Sequence, residues 1–152
     1  STVGIPPGII RLADANPGTL LALSLHSAKD HIRDYLMPVN HKYNLKEVGK
    51  ALAYYHNKTS QRIHVEYLML KDVNDSISDA KALAVFCKSF PVKLNLIEYN
   101  STADSEFNKT EANKLQAFVD FLEGKNIIVN IRKSRGEDID AACGQLANKI
   151  KE

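Results

Sequence analysis

The sequence predicts an α/β fold, a partial barrel of about four parallel strand–helix units that follow an amino-terminal helix. Apolar runs of strand length alternate strictly with amphipathic helical patterns, about one unit every 30 to 40 residues. Such alternation favours a parallel sheet with right-handed crossovers. Four units are too few to close an eight-stranded barrel, so the sheet is expected to stay open. No linker interrupts the pattern, and residues 1–152 are expected to form one domain.

The chain is expected to begin with a helix and a buried strand. Pro6 and Pro7 favour the first turn of a helix, which should end at the turn formed by residues 16–18, Asn-Pro-Gly. The mostly apolar run over residues 19–26 then predicts a strand that is buried on both faces, as in parallel sheets.

A helix-capping pattern indicates where the next helix begins. Asn44 and Glu47 predict a capping box at the start of a helix, and a strand is expected over residues 62–70. The segment before this helix is expected to be a loop, in which His31 and His41 are solvated. The apolar stripe of the helix is formed by Leu45, Val48, Leu52 and Tyr55.

The second half of the chain repeats the pattern. Cys87 lies on the apolar face of a helix with Leu83, Phe86 and Phe90, which predicts a buried, unreactive thiol. Asn108 and Glu111 predict another capping box, and Gly124 should end that helix. The remaining elements are strands over residues 92–100 and 126–132, a helix with Leu115, Phe118, Val119 and Leu122 facing inward, and a helix over residues 138–150.

The composition is that of a globular protein and gives no global sign of a partner. Hydrophobic residues make up 44% and charged residues 25% of the chain, with a net charge of +2. No segment is long and apolar enough to cross a membrane, and a nucleic-acid partner would need a local basic patch. Two cysteines without a signal peptide indicate a reducing cytoplasm. Because the chain starts at Ser1 and not at Met, we expect it to be a piece of a longer protein.

Polar side chains collect where the predicted strands end, which is where reactive groups lie in α/β barrels. Ser24 and His26 share one face at the end of the first strand, and Glu66 lies inside the second strand, where it needs a partner. The third strand ends at Asn100 and the fourth at Arg132. The pattern predicts a binding mouth but names no ligand, and an ordinary capping serine with a solvent-facing histidine is the alternative.

Cys143 is open to two interpretations. Helical spacing from Ile139 to Ile150 places the thiol in a core. Gly144, however, would cost a helix interior about 1 kcal/mol relative to alanine. The cations of residues 132–135 could also favour a reactive thiolate. The residues alone leave both interpretations open, since no phosphate loop, metal-binding pair or nucleophile elbow accompanies the cysteine.

Five blocks of the sequence together resemble one known family. The longest is IRKSRGEDIDAACGQLA at residues 131–147. The others, in order along the chain, are STVGIPPGIIRLAD, LALSLHSAKDHIRDYLMPVN, RIHVEYLMLKDVNDS and NLIEYN. The blocks resemble the RlmN-type radical SAM RNA methyltransferases of bacteria, which modify carbon 2 of adenosine. The resemblance covers essentially the whole chain and corresponds to the carboxyl-terminal half of such an enzyme.

The resemblance implies a radical SAM barrel fold and a set of site residues. Cys143 matches the catalytic cysteine that carries the methyl group. The family also binds a [4Fe–4S] cluster through a C-x-x-x-C-x-x-C loop, which this chain lacks, so no metal ligand is expected here and the chain alone is expected to be inactive. The expected contacts to S-adenosylmethionine are Ser1, Ser24, Leu25, His26 and Asn100. After Asn100 the family usually continues N-P-x-P-G, whereas this chain reads STADSEF.

The chemistry that the resemblance implies explains the need for a thiol. The Cys143 thiolate takes a methyl group from one S-adenosylmethionine, and a radical made from a second one removes hydrogen from that methyl group before it adds to adenine. The implied partners are 23S rRNA, tRNA and an electron donor for the cluster. Arg132, Lys133 and Arg135 are candidates for gripping the RNA backbone, with a solvated basic loop as the alternative.

Two other functions fit the same residues. One is the sister enzyme class that methylates carbon 8 of adenosine and confers antibiotic resistance. The other is a non-catalytic α/β binding module. Because an incomplete barrel leaves an open sheet edge, we also expect the chain to self-associate.

Overall fold

The sheet contains four parallel strands in the order β1-β2-β3-β4, so that neighbours in sequence are neighbours in space. A computed structural model describes residues 1–101 and 105–132. Strands β1, β2 and β3 are each followed by one or more helices before the next strand of the sheet begins. The predicted α/β fold is therefore confirmed. The strands are β1, Ala22–Ser24; β2, Ile63–Met69; β3, Val92–Glu98; and β4, Ile128–Arg132.

Five α-helices and two 3-10 turns lie in the described ranges. The α-helices are α1, Pro6–Ala15; α2, Asp30–Leu36; α3, Leu45–Thr59; α4, Ile77–Phe86; and α5, Ala112–Glu123. The 3-10 turns are Pro38–His41 and Cys87–Ser89. None of these helices is both long and apolar enough to span a membrane.

One of the two predicted capping boxes is present, and the prediction of the other is wrong. At the start of α3, the Asn44 side chain accepts a hydrogen bond from the Glu47 amide and the Glu47 carboxylate accepts one from the Asn44 amide, both at 3.1 Å. At α5 the helix begins later, and Glu111 caps it without a side-chain hydrogen bond. The carbonyl of Asn108 instead accepts from the Lys71 amide at 2.9 Å. Pairing with the chain beyond β2 therefore holds Asn108 outside the helix.

The predicted loop around His31 and His41 is also wrong. Residues Asp30–Leu36 form α2 and the second histidine lies in the following 3-10 turn, although both imidazoles are exposed as expected. The inward-facing residue of α2 is Arg33, which is fully buried. A charged residue at the inner position hides the apolar period by which helices are recognised in a sequence.

The two faces of the sheet have different environments. Leu23, Val65 and Leu94 are completely buried and belong to the hydrophobic core that includes residues of the helices. On the opposite face, Ser24 and Glu66 are only half-buried. Because helices surround the outside of an α/β barrel, this second face corresponds to the barrel interior.

The sheet has an edge on either side. On one side, the Thr2 amide donates to the Ala22 carbonyl at 2.8 Å and the Ser24 amide donates to the Thr2 carbonyl at 2.9 Å, so the amino-terminal residues extend the sheet beside β1. On the other side β4 is the last strand of the described sheet, and Ile128 and Ile131 on its two faces are exposed. Self-association through an edge stays a prediction.

Candidate functional site

A row of polar side chains crosses the interior face of the sheet. Ser24, Glu66, Asn95 and Asn130 are level with one another in the strand register, and we call them the polar row. Asn95 Nδ2 donates to Glu66 Oε1 at 2.7 Å, and Asn130 Nδ2 donates to Asn95 Oδ1 at 3.1 Å. Glu66 thus has the partner that the sequence requires, and the amides hold its carboxylate in a fixed orientation.

The second oxygen of this carboxylate is an available acceptor. Glu66 Oε2 is enclosed by protein atoms but accepts no hydrogen bond from the described residues. Its nearest charged neighbour is Arg132, whose Nη1 lies 3.5 Å away at the end of β4. Leaving an enclosed acceptor without a donor is unfavourable, so the arrangement favours a ligand that brings an N–H or O–H group.

His26 follows β1 in a left-handed backbone conformation, with φ of 58°. Its Nδ1 accepts a hydrogen bond from the Leu68 amide at 3.0 Å, and its carbonyl accepts one from Asn74 Nδ2 at 2.7 Å. Burial and the nearby Arg33 lower the pKa of His26 to about 4, while Glu66 acts in the opposite direction. The imidazole is therefore neutral near pH 7. Because Nδ1 is an acceptor, the proton lies on Nε2, which is a fixed hydrogen-bond donor.

Asn74 fixes the turn at His26 to the end of β2. It is completely buried, and its Nδ2 donates to the carbonyls of His26 and Leu68 at 2.7 and 2.8 Å. Its Oδ1 accepts from the Leu70 amide at 2.8 Å, and its carbonyl accepts from the Tyr67 hydroxyl at 2.8 Å. Every polar group of the side chain is used, so this residue sets the relative position of the first two strand ends.

Arg33 organises the other side of the same turn. Its Nε donates to the Leu25 carbonyl at 3.1 Å and its Nη2 donates to the Val3 carbonyl at 2.6 Å. Its Nη1 donates to Asn40 Oδ1 at 2.7 Å. Because a guanidinium has five N–H donors, it can donate hydrogen bonds to acceptor oxygens on three separate segments at once. Arg33 therefore ties the amino-terminal strand extension, the end of β1 and the turn after α2 together.

The buried charge of Arg33 is balanced through Asn40. Asn40 Nδ2 donates to Asp30 Oδ1 at 2.9 Å and to Asp34 Oδ1 at 2.7 Å, which brings both carboxylates close to the guanidinium. Burial lowers the pKa of Arg33, while Asp30 and Asp34 oppose this shift. The sequence does not reveal this network, because the burial of Arg33 depends on its bonds to the Val3 and Leu25 carbonyls, which only the folded sheet brings to it.

The predicted site residues differ in what they offer a ligand. Ser24 lies in the polar row and His26 just beyond it. Leu25 has a completely buried side chain, and its amide donates to the Glu66 carbonyl at 3.0 Å, so this residue shapes the turn. Ser1 is exposed, one position before the Thr2 bridge.

Asn100 is a predicted cofactor contact that has a spare acceptor. It follows the end of β3, at the same edge of the parallel sheet as His26. Its Oδ1 is enclosed and accepts no hydrogen bond from residues 1–101 and 105–132. Among the enclosed oxygens that accept no hydrogen bond from the described residues, Glu66 Oε2 belongs to the polar row and Asn100 Oδ1 follows the end of β3, while the others belong to Asp75, Asp79 and Thr110.

Of the two cysteines, Cys87 lies within the described residues and Cys143 does not. Cys87 is buried, as predicted, and burial raises its pKa to about 12, so the thiol is protonated and unreactive at neutral pH. Cys143, Lys133, Arg135 and the predicted helix over residues 138–150 lie outside the described residues. Among the residues that are described, no group of three histidine, cysteine or acidic side chains is arranged to hold a metal ion.

Comparison with known proteins identifies relatives of the whole chain, although no family model matches it. A probable dual-specificity RNA methyltransferase RlmN from Christiangramia forsetii is 48% identical over 149 residues, which is 98% of this chain and 42% of that protein. The dual-specificity RNA methyltransferase RlmN of Vesicomyosocius okutanii is 44% identical over 152 residues, 99% of this chain and 42% of that protein. This chain is homologous to one part of the RlmN proteins. The resemblance in the sequence is thereby confirmed.

Solved structures agree with the RlmN relationship. A radical SAM methyltransferase from Sphaerobacter thermophilus superposes with a TM-score of 0.90 at 36% identity, over 95% of this chain and 42% of that one. A domain of a pyruvate-formate lyase-activating enzyme from Bacteroides vulgatus shares the fold alone, with a TM-score of 0.65 at 15% identity over 86% of this chain and 76% of that domain. The predicted radical SAM fold is confirmed, and the chain spans about two fifths of the RlmN relatives that it matches.

Proposed function

We propose that this chain forms the carboxyl-terminal part of a radical SAM enzyme that methylates carbon 2 of adenosine in 23S rRNA and tRNA. The observation that carries the proposal is an identity of 48% to an RlmN relative over 98% of the chain. The name of that relative describes an RNA methyltransferase. We further propose a cytoplasmic location, an electron donor as partner, and Cys143 as the catalytic thiol.

The described residues fit S-adenosylmethionine. This molecule offers hydrogen-bond donors on its ammonium group, its ribose and its adenine amino group, and the enclosed oxygens Glu66 Oε2 and Asn100 Oδ1 accept no hydrogen bond within residues 1–101 and 105–132. The Nε2–H group of His26 is a donor for an acceptor of the ligand. Contacts of this kind, few and fixed in direction, are typical of cofactor sites. The residues proposed to hold the cofactor are Ser1, Ser24, Leu25, His26 and Asn100.

His26 would bind and orient a ligand without moving a proton. Its Nδ1 is occupied by the Leu68 amide and its remaining nitrogen already carries a proton. Its pKa of about 4 also keeps the ring from becoming cationic at neutral pH. A neutral donor avoids repulsion with the positively charged sulfonium group of S-adenosylmethionine, which agrees with the proposed site.

Cys143 supplies the nucleophile of the proposed reaction. Its thiolate sulfur accepts the methyl group and holds it for delivery to the adenine. Its neighbours in the sequence, Ala142 and Gly144, are small, which is compatible with a sulfur that two large reactants must approach. When bound, S-adenosylmethionine and a [4Fe–4S] cluster supply the methyl group and the radical chemistry. The cluster ligands belong to the part of the RlmN proteins that this chain does not match.

The test is methylation of RNA by the full-length protein. The wild-type protein, reconstituted with its cluster and supplied with S-adenosylmethionine and a reductant, should convert adenosine in tRNA to 2-methyladenosine. Digestion and chromatography against 2-methyl and 8-methyl standards identify the product, and Cys143→Ser should abolish it. An 8-methyl product would select the sister enzyme class, and absence of any methylated adenosine would contradict the proposal.

A further inference from the structure

A hollow of about 630 Å³ lies at the end of the sheet opposite to the proposed cofactor site. It is bounded by the carboxyl ends of α4 and α5 and by the residues that precede β2, β3 and β4, and we call it the amino-end hollow. Its walls include the rings of Phe90 and Phe121, and its cationic side chains are Arg62, Lys81, Lys88 and Lys125. None of the described residues that line it is acidic.

The cations reach the hollow through a repeated feature of the fold. Arg62 immediately precedes β2, Lys88 lies in the 3-10 turn before β3, and Lys125 lies in the turn before β4. Each of the three connections that lead into β2, β3 and β4 thus contributes one cation to the same surface. Lys81, in the middle of α4, adds a fourth.

These cations have no carboxylate partner in the part of the chain that the structure describes. Within residues 1–101 and 105–132, none of the four makes an ion pair, and all four side chains are exposed. At the other end of the sheet, Lys71 is paired with Glu111 at 2.7 Å. Several like charges around one concave surface raise the local concentration of anions.

The walls between the cations are apolar. Val85 and Ile128 are exposed hydrophobic residues of the hollow, and the Lys125 ammonium lies 5.5 Å from the centre of the Phe121 ring. Cations that follow a phosphate backbone, together with rings or apolar surfaces against which bases pack, are the usual means of binding single-stranded nucleic acid. An acidic peptide would satisfy the cations but gives no reason for the apolar walls.

We propose that the amino-end hollow binds a single-stranded segment of the RNA substrate, distant from the adenosine that is methylated. Phosphates contact Arg62, Lys88 and Lys125, and a base packs against the apolar wall beside Phe121. This inference rests on the proposed RNA methyltransferase function and adds a second contact surface to it. A contact away from the reacting base allows the enzyme to select RNA by its extended structure, while the carboxyl ends of the strands hold the cofactor.

The experiment compares two charge reversals in the full-length protein. Lys88→Glu combined with Lys125→Glu changes the hollow. Lys46→Glu combined with Lys50→Glu makes the same change in charge on the exposed face of α3. Binding of intact tRNA is measured by fluorescence anisotropy over a range of salt concentrations, with thermal unfolding as a check on folding. If the hollow variant does not fold, Lys88→Gln combined with Lys125→Gln replaces it.

The hollow variant should bind tRNA at least about tenfold more weakly, and its slope of log affinity against log salt should fall by about 1.5, as expected for two lost phosphate contacts. The tRNA affinity of the α3 variant should stay within about twofold of wild type. Lys88→Arg combined with Lys125→Arg, which keeps both positive charges, should bind tRNA as the wild-type protein does. Equal affinity and slope for the hollow and α3 variants, with a wild-type protein that methylates tRNA, would overturn the inference and point to another occupant such as an acidic protein. A wild-type protein that neither binds nor methylates RNA would instead reject the proposed function itself.

Discussion

Charged side chains have different environments at the two ends of the sheet. At the carboxyl ends of the strands, charged and polar groups are joined by directed bonds, as in the contact of Arg33 with Asn40 and that of Asn95 with Glu66. At the amino ends, Lys88 and Lys125 surround an apolar hollow and make no ion pair with the described residues. Groups held by directed bonds suit a small ligand that needs one orientation, whereas exposed cations suit a polyanion whose contacts are numerous and non-directional.

The largest expected effect on stability comes from disrupting the hydrogen-bonded network at the carboxyl ends of the strands. Arg33→Met should lower the free energy of unfolding by about 3–5 kcal/mol, because it removes a buried cation and leaves Asp30 and Asp34 without compensation. Arg62→Met, the same substitution at the amino-end hollow, should change it by no more than about 0.5 kcal/mol. Urea unfolding of both variants measures the difference. Equal losses would show that the two ends do not differ in their contribution to stability.

A smaller effect should appear when the pH is lowered. Because the pKa of folded His26 is about 4 and the usual value is 6.5, protons bind the unfolded chain more tightly, and stability is lost as the pH falls from 6.5 towards 4. At about 1.4 kcal/mol per pKa unit, this residue accounts for a loss of at most about 3 kcal/mol.

The control variants isolate this contribution. His26→Asn, which tolerates the left-handed backbone, should remove that part of the pH dependence. His31→Asn, at an exposed position of α2, should leave the pH dependence as in wild type. Unfolding free energies at pH 7 and pH 4.5 provide the test. An unchanged pH dependence in the His26 variant would show that its imidazole is not held neutral by burial.

The parts of the fold that could be predicted are those encoded by neighbouring residues. The four strands follow from apolar runs, and the helix at Asn44 follows from a capping box that is complete within four residues. The cap expected at Asn108 failed because its backbone pairs with Lys71, which is far away in sequence. Helix α2 was missed for a related reason, since Arg33 can be buried only where the Leu25 and Val3 carbonyls and Asn40 surround it.

The need of Glu66 for a partner could be predicted, but the partner itself could not. A binding mouth formed by the polar residues at the strand ends stays a prediction, whereas Glu66 was expected to need a partner because it lies inside a strand. Nothing in the sequence identified Asn95 as that partner, because the contact depends on strand register between β2 and β3. Asn74 was missed as well, because its bonds to the His26 and Leu68 carbonyls join segments that only the folded chain brings together. The left-handed conformation of His26 has no sequence signal of its own.

We propose that Cys143 carries the methyl group in the reaction of an RNA methyltransferase. The most direct test is the mass of the peptide that contains this cysteine, measured in full-length protein after reconstitution with its cluster and incubation with S-adenosylmethionine. We expect the mass of one added methyl group on Cys143 and none on Cys87, whose thiol is buried with a pKa of about 12. An unmodified Cys143 in a protein that nevertheless methylates RNA would contradict the claim.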